Sequence, residues 1–186
     1  MIIEFRNTFL KSMLKEDQEK ILTWRKKKEI SKYMLTDIEA NTLEDQNSWF
    51  KKISEDKSCK YWVVYNGDRP VGVANLSEID IKEKKTNWAF YVAESNSSLQ
   101  GVGAKVEFMI INYVFFKMNF KNLLCQVLSN NPKVVELHKK FGFHHYKTEK
   151  LKYNKNNEQL DMFFLTMSKD QALEKKYDQK PIRYTI

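Results

Sequence analysis

The sequence predicts a mixed α/β fold of the α+β type, a sheet carrying helices on both faces. Three observations predict it. Helical spacing dominates residues 15–56, and runs of β-branched and aromatic residues follow over 61–92. The second half then reads strand, helix, strand, helix, strand, strand. Within it, residues 87–128 form a strand–helix–strand crossover, so the two strands should be parallel neighbours.

Taken in order, residues 4–13 suit a first strand, and 15–24 a helix with Ile21 and Trp24 on its apolar side. Residues 29–34 suggest a short helix or turn. Thr42-Leu43-Glu44-Asp45 resembles a capping box, and Trp49, Phe50 and Ile53 continue at helical spacing to about Asp56. Residues 61–65 and 71–79 predict a hairpin around Asn66-Gly67-Asp68, and 87–92 a third strand. The helix expected over 103–120 is apolar almost all round (Val106, Phe108, Met109, Ile110, Ile111, Val114, Phe115, Phe116), which predicts burial on more than one side. A strand over 123–128 precedes a helix over 132–141 closed by Gly142. Strands over 143–153 and 160–167 are joined by the polar turn 154–157. From Ser168 the tail reads as a short polar helix and an irregular end. This organisation predicts one domain over 1–186, with its core at about 5–167 and a polar tail at 168–186.

Composition narrows the class. A chain of 186 residues, 42% hydrophobic and 13% aromatic, can bury a sizeable core. Met1-Ile2-Ile3-Glu4 meets charge at once and has no signal-peptide core. The longest apolar run, 108–116, is broken by Asn112 and is too short for a membrane span. Cys59 and Cys125 read as two reduced thiols of a cytoplasmic protein. His138, His144 and His145 lack metal-motif spacing, so no metal is expected. The net charge of +8 favours anionic partners, although the lysines are spread along the chain apart from Arg25-Lys26-Lys27-Lys28. No helix-turn-helix, RNP or zinc pattern supports a nucleic-acid-binding domain.

The chemistry-bearing segment is Gln100-Gly101-Val102-Gly103 at the start of the third long helix. Glycines there let backbone approach a ligand, and the unpaired N–H groups with the positive helix end suit a phosphate. One strand later come Asn130, Asn131 and Pro132, then Val134, Leu137, His138 and Phe141-Gly142-Phe143. Together these resemble the two hallmark motifs of the GCN5-related N-acetyltransferase (GNAT) superfamily. Gln100 and Gly103 match the first motif, with Lys105 where the family has Gly or Ala. Asn131, Val134, Leu137, Gly142 and Phe143 match the second, with His138 where the family usually has tyrosine.

The resemblance implies a largely antiparallel sheet whose central parallel pair splays apart to admit acetyl-CoA. It implies cofactor contacts from Gln100, Gly101, Val102, Gly103, Ala104, Lys105 and Asn131, with the pantetheine along Tyr91 and Val92. It also implies direct transfer. A neutral amine attacks the thioester carbonyl and the CoA thiolate leaves, helped by proximity, oxyanion donors and a proton for sulfur. His138 is the candidate acid, with packing as its other reading. Glu78 and Glu94 are candidate bases, with Glu78 preferred, and Gln126 can only orient a substrate or water.

Trp24-Arg25, Ile30, Tyr33-Met34, Leu43, Trp49 and Phe50 further resemble the N-terminal region of the acetyltransferases of pseudaminic acid biosynthesis. Lys26 replaces their usual Asn, and Gln46 takes the region where they often have a histidine. That resemblance implies a substrate set of Arg25, Tyr33, Gln46, Ser77 and Tyr91. The acceptor would be the 4-amino group of a UDP-linked amino-dideoxy sugar. A ribosomal-protein-type N-terminal acetyltransferase is the rival, and the basic balance argues against its cationic peptides. The expected partners are thus a small-molecule amine, neither nucleic acid nor membrane, and, where it assembles, a second copy as a homodimer.

Overall fold

The structure is a computed structural model that describes residues 1–36, 42–94, 99–155 and 158–185. Of the loop expected at 94–98 only Glu94 falls within them, and the turn expected at 154–157 lies outside at 156–157.

Among the described residues nine strands form one sheet: β1 (Ile2–Phe5), β2 (Thr8–Ser12), β3 (Lys60–Asn66), β4 (Arg69–Asp80), β5 (Lys85–Val92), β6 (Asn122–Leu128), β7 (His144–Lys155), β8 (Glu158–Ser168) and β9 (Arg183–Thr185). Their order across the sheet is β7-β8-β6-β5-β4-β3-β2-β1-β9. Among the described residues only β5 and β6 are parallel, so the largely antiparallel sheet with one parallel pair is present.

Alternation along the strands assigns the two faces. In β3, Trp62 and Val64 turn to one core while Tyr61, Val63 and Tyr65 turn to the other. The first core is closed by α4 (Val102–Asn112), extended by a π-helical turn over Tyr113–Lys117, and by α5 (Pro132–Phe141). Seven consecutive α4 residues, Val106 to Asn112, are buried, which accounts for the nearly continuous apolar pattern. The second core is closed by α1 (Gln18–Arg25) and α3 (Leu43–Glu55), through Ile21, Trp24, Trp49, Phe50 and Ile53. Between them α2 (Lys28–Ser31) is a single turn. The capping box is formed: Asp45 N–H donates to Thr42 Oγ1 at 3.1 Å, and Thr42 N–H donates to Asp45 Oδ2 at 3.0 Å.

Two expectations are corrected. The single strand expected over 4–13 is a hairpin, because Arg6 and Asn7 both take positive φ (48° and 61°) and reverse the chain between β1 and β2. The irregular tail is ordered. Its helix α6 (Lys169–Glu174) buries Ala172, Tyr177 packs on Phe108 and Phe141, and β9 pairs with β1. Among the described residues no helix is long and apolar enough to cross a membrane.

Candidate active site

The parallel pair is short. It holds through Lys85↔Asn122, Thr86↔Leu123 and Asn87↔Leu124, and then ends. Beyond that vertex β5 stays bound to β4 as far as Gly72↔Val92, and β6 stays bound to β8 as far as Leu128↔Met162. Residues 88–92 and 125–128 therefore diverge, and their facing edges carry backbone groups outside any strand ladder. Each arm is about 13–17 Å long at the usual rise per residue. Gly72 makes the β4 arm fit: a Cβ there would lie 2.1 Å from the Tyr91 carbonyl oxygen.

At the mouth, Gly101 is the N-cap of α4 with φ 81°, a left-handed conformation that favours glycine. As a glycine, Gly101 offers no capping side chain, none among the described residues caps this helix end, and its first turn holds no acid. By helix geometry the amides of Val102, Gly103 and Ala104 have no intrahelical acceptor, whereas Lys105 N–H already donates to the Gly101 carbonyl. Gly103 lets α4 close on the β5 arm, since a Cβ would sit 3.2 Å from the Phe90 ring. The Lys105 side chain does not join this end; its ammonium donates to the Arg6 carbonyl at 3.1 Å. Asn131 is the uncapped N-cap of α5, where β6 leads out of the splay. An uncapped helix end beside two unpaired strand edges fits a phosphate-bearing chain such as the pantetheine diphosphate of acetyl-CoA.

His138 stands on the inner face of α5. Its ring is buried among Trp88 (centroids 5.2 Å apart), Phe143 (5.4 Å) and Phe90 (6.4 Å), two of which belong to the β5 arm. Its Nδ1 lies 2.9 Å from Glu107 Oε1, on a carboxyl group with no exposed surface. Burial pushes the Glu107 carboxyl above its ordinary value, and His138 opposes that shift.

The opposite side of β5 faces α1. Tyr91 meets Trp24 edge-on, and its hydroxyl is buried without a hydrogen-bond partner among the described residues. Burial raises that phenol strongly, and the Arg25 guanidinium nearby opposes the rise. Arg25 Nη2 donates to the Thr36 carbonyl at 3.1 Å, while its Nε is buried and unpartnered among the described residues. At the vertex, Ser77 pairs with Asn87, and Asn87 Nδ2 donates to Glu78 Oε2. Glu78 is exposed in a β-bulge at φ 50°, an unusual conformation for a side-chain-bearing residue. Glu94, at the mouth, accepts from Trp24 Nε1 at 2.9 Å, and chiefly that bond holds its carboxyl below the usual range.

The fold thus brings Gly101, Val102, Gly103, Ala104, Tyr91, Val92 and Asn131 around the splay, Ser77 and Glu78 to its vertex, and Arg25 to Tyr91. It does not bring Gln46 there. That amide is 4% exposed and donates to Gln18 Oε1 at 2.9 Å, which ties α3 to α1. Tyr33 is exposed beyond α2, with Lys32 over its ring. Glu107 escaped the sequence reading, although an acid in the middle of an otherwise apolar helix was its visible signal.

Comparison with known proteins agrees with this geometry. Residues 10–164 match the acetyltransferase (GNAT) domain family. Acetyltransferase PseH from one Campylobacter jejuni strain is 27% identical over 135 residues, covering 73% of this chain and 82% of that protein. PseH from a second strain is 25% identical over 130 residues, covering 70% and 78%. In fold, the chain is similar to Vibrio cholerae spermidine N-acetyltransferase in complex with CoA and spermine. The TM-score is 0.83 at 17% identity, covering 90% of this chain and 98% of that one. The chain belongs to the acetyltransferase (GNAT) domain family and is an acetyl-CoA-dependent N-acetyltransferase.

Proposed function

We propose that the protein acetylates the 4-amino group of a UDP-linked amino-dideoxy sugar, in the manner expected of pseudaminic acid biosynthesis. One observation carries this reading. On the α1 side of the splay, Arg25 Nε–H and Tyr91 O–H are buried donors without acceptors among the described residues. Orphaned buried donors are costly, and an acceptor-rich ligand such as a phosphate or a uracil ring relieves them. The similarity to PseH and the net charge of +8 support the same substrate class.

Acetyl-CoA supplies an activated acyl group. In this reading the protein's own groups do the rest. The amides of Val102, Gly103 and Ala104 hold the diphosphate, with Gln100 and Asn131 around them, and the edge of Tyr91 and Val92 aligns the pantetheine. Arg25 and Tyr91, with Ser77 at the vertex, orient the nucleotide sugar. Glu78 takes a proton from the incoming ammonium, and His138 gives one to the departing sulfur. We take residues 1–186 as one acetyltransferase domain acting in the cytoplasm, and a homodimer as its assembly, which light scattering tests.

The test is a thermal-shift and turnover panel with acetyl-CoA plus UDP, a UDP-4-amino sugar, spermine or an N-terminal peptide. UDP at a hundred times its Kd should stabilise the fold by about 2.7 kcal/mol, a rise of roughly 5–10 °C. Acetylation of the peptide or spermine, with no nucleotide-sugar turnover, would replace this acceptor.

A further inference from the structure

Glu107 has no evident structural reason to be acidic. It lies between Val106 and Phe108 in the buried middle of α4, where a carboxyl group is costly to desolvate. Its one hydrogen bond among the described residues is with His138 Nδ1. Its second oxygen, Oε2, is buried with no partner there. The remaining titratable groups that bear on the pair are Cys125 on β6 and Tyr177 in the tail. Burial first, and the Glu107 charge second, push the Cys125 thiol well up and the Tyr177 phenol to about 12. Lys180, over the rings of Phe108 and Tyr177, is a cation on the tail side.

Counting protons decides what the pair can be. An ionised Glu107 beside a neutral His138 that donates from Nδ1 leaves a net negative charge in a desolvated site. Adding one proton removes that charge. If the proton goes to Oε2, it becomes a buried donor without an acceptor among the described residues. If it goes to the ring, Nε2 carries it, whether the bridging proton then rests on Nδ1 or on Oε1, and Nε2, unlike Oε2, is not among the buried unpartnered atoms of the described residues. The neutral pair therefore places its exchangeable proton on Nε2.

We propose that Glu107 is a positioning residue for acetyl transfer: with His138 it forms a buried dyad that keeps Nε2 protonated for the CoA sulfur. This rests on the reading of His138 as the proton donor. In the step, the Nε2–H bond breaks and an S–H bond forms. The thiolate's negative charge passes to the dyad as Glu107 carboxylate and Nδ1–H imidazole. The dyad then regains a proton, supplied through solvent by the one the acceptor amine releases, and the cycle balances. A tyrosine at position 138 would carry its own proton and need no such partner.

Two measurements test the proposal. In 15N-histidine spectra, with the His138 signals identified by their loss in His138→Tyr, wild-type Nε2 should be protonated at pH 7.5. A bare Nε2 in the wild type overturns the dyad, and this arm needs no variant to fold. In turnover of the best acceptor from the panel above, Glu107→Gln should lose about ten- to a hundredfold at pH 8. Part of that loss should return at pH 6, and CoA affinity should stay unchanged. Added to His138→Tyr, Glu107→Gln should cause no further loss. An equal loss in both backgrounds makes Glu107 a packing residue and overturns the proposal. Should His138→Phe and Glu107→Gln both turn over like wild type while the spectra behave as expected, the donor role of His138 fails instead, and the proposal falls with it.

Discussion

The two sides of the splay are built from different material. On the α4–α5 side the offered groups are backbone amides at an uncapped helix end, backed by Trp88, Phe90 and the buried His138–Glu107 pair. On the α1 side they are side-chain donors, Arg25 Nε and Tyr91 O–H, without acceptors among the described residues. Backbone cannot be substituted, so the α4–α5 side reveals itself through the residues that let backbone come close, Gly101 and Gly103. Side chains can be exchanged one at a time. The α1 side therefore leaves a looser trace, and Gln46, expected there from the sequence, serves the α1–α3 joint instead.

The sharpest way to break this contrast is Gly103→Val. Its new side chain would press on Phe90 and block the amides at the mouth. Losing two charge-assisted hydrogen bonds at about 1.5–3 kcal/mol each should weaken CoA at least a hundredfold, as measured by calorimetry. A folded variant with unchanged CoA affinity would remove the backbone cradle from the account. Next in size, His138→Phe should lower turnover by about ten- to a hundredfold with little change in acetyl-CoA affinity, while His138→Tyr should keep turnover or raise it. Wild-type turnover in His138→Phe across the pH range would reduce His138 to packing. Arg25→Ala should weaken UDP by about tenfold, some 1.4 kcal/mol, and leave CoA within about twofold. A matching loss for both ligands would mean the two sides are not separable.

The smallest effect probes the support behind the α4–α5 side. Tyr177 O–H donates to the Phe141 carbonyl at 2.9 Å, so Tyr177→Phe should lower the melting temperature by about 2–4 °C at neutral pH. Its phenol, raised to about 12 mainly by burial, keeps its proton when an unfolded tyrosine, near 10, has lost it. Between those values the unfolded state binds fewer protons, so stability falls as pH rises through the window. Urea melts at pH 10 and 11.5 should show a shallower fall in Tyr177→Phe than in the wild type. An identical fall would place the titrating group elsewhere.

Much of the fold was legible because its signals are local. The β-branched and aromatic run of β3, the box at Thr42 and Asp45, and Gly142 at the end of α5 each act within a few residues. What stayed hidden depends on partners far along the chain or on rare backbone choices. The β1–β2 turn is made by Arg6 and Asn7 at positive φ, with no glycine or proline to mark it. The bulge at Glu78 is another such choice. Three-residue β9 is a strand only because β1 lies beside it. His138 and Glu107 meet across 31 positions and two elements, and neither residue's own neighbourhood names the other.

That last strand has a consequence for how the molecule is made. β1 leaves the ribosome ahead of the other strands of its sheet, yet one of its two edges stays open until β9 emerges, more than 170 residues later. Until then the nascent sheet presents a bare edge strand, the kind of surface that invites pairing with another chain. Completion of the edge thus waits for the last strand of the sheet. An insertion ahead of β9 that delays its pairing should lower the yield of soluble protein before it touches catalysis.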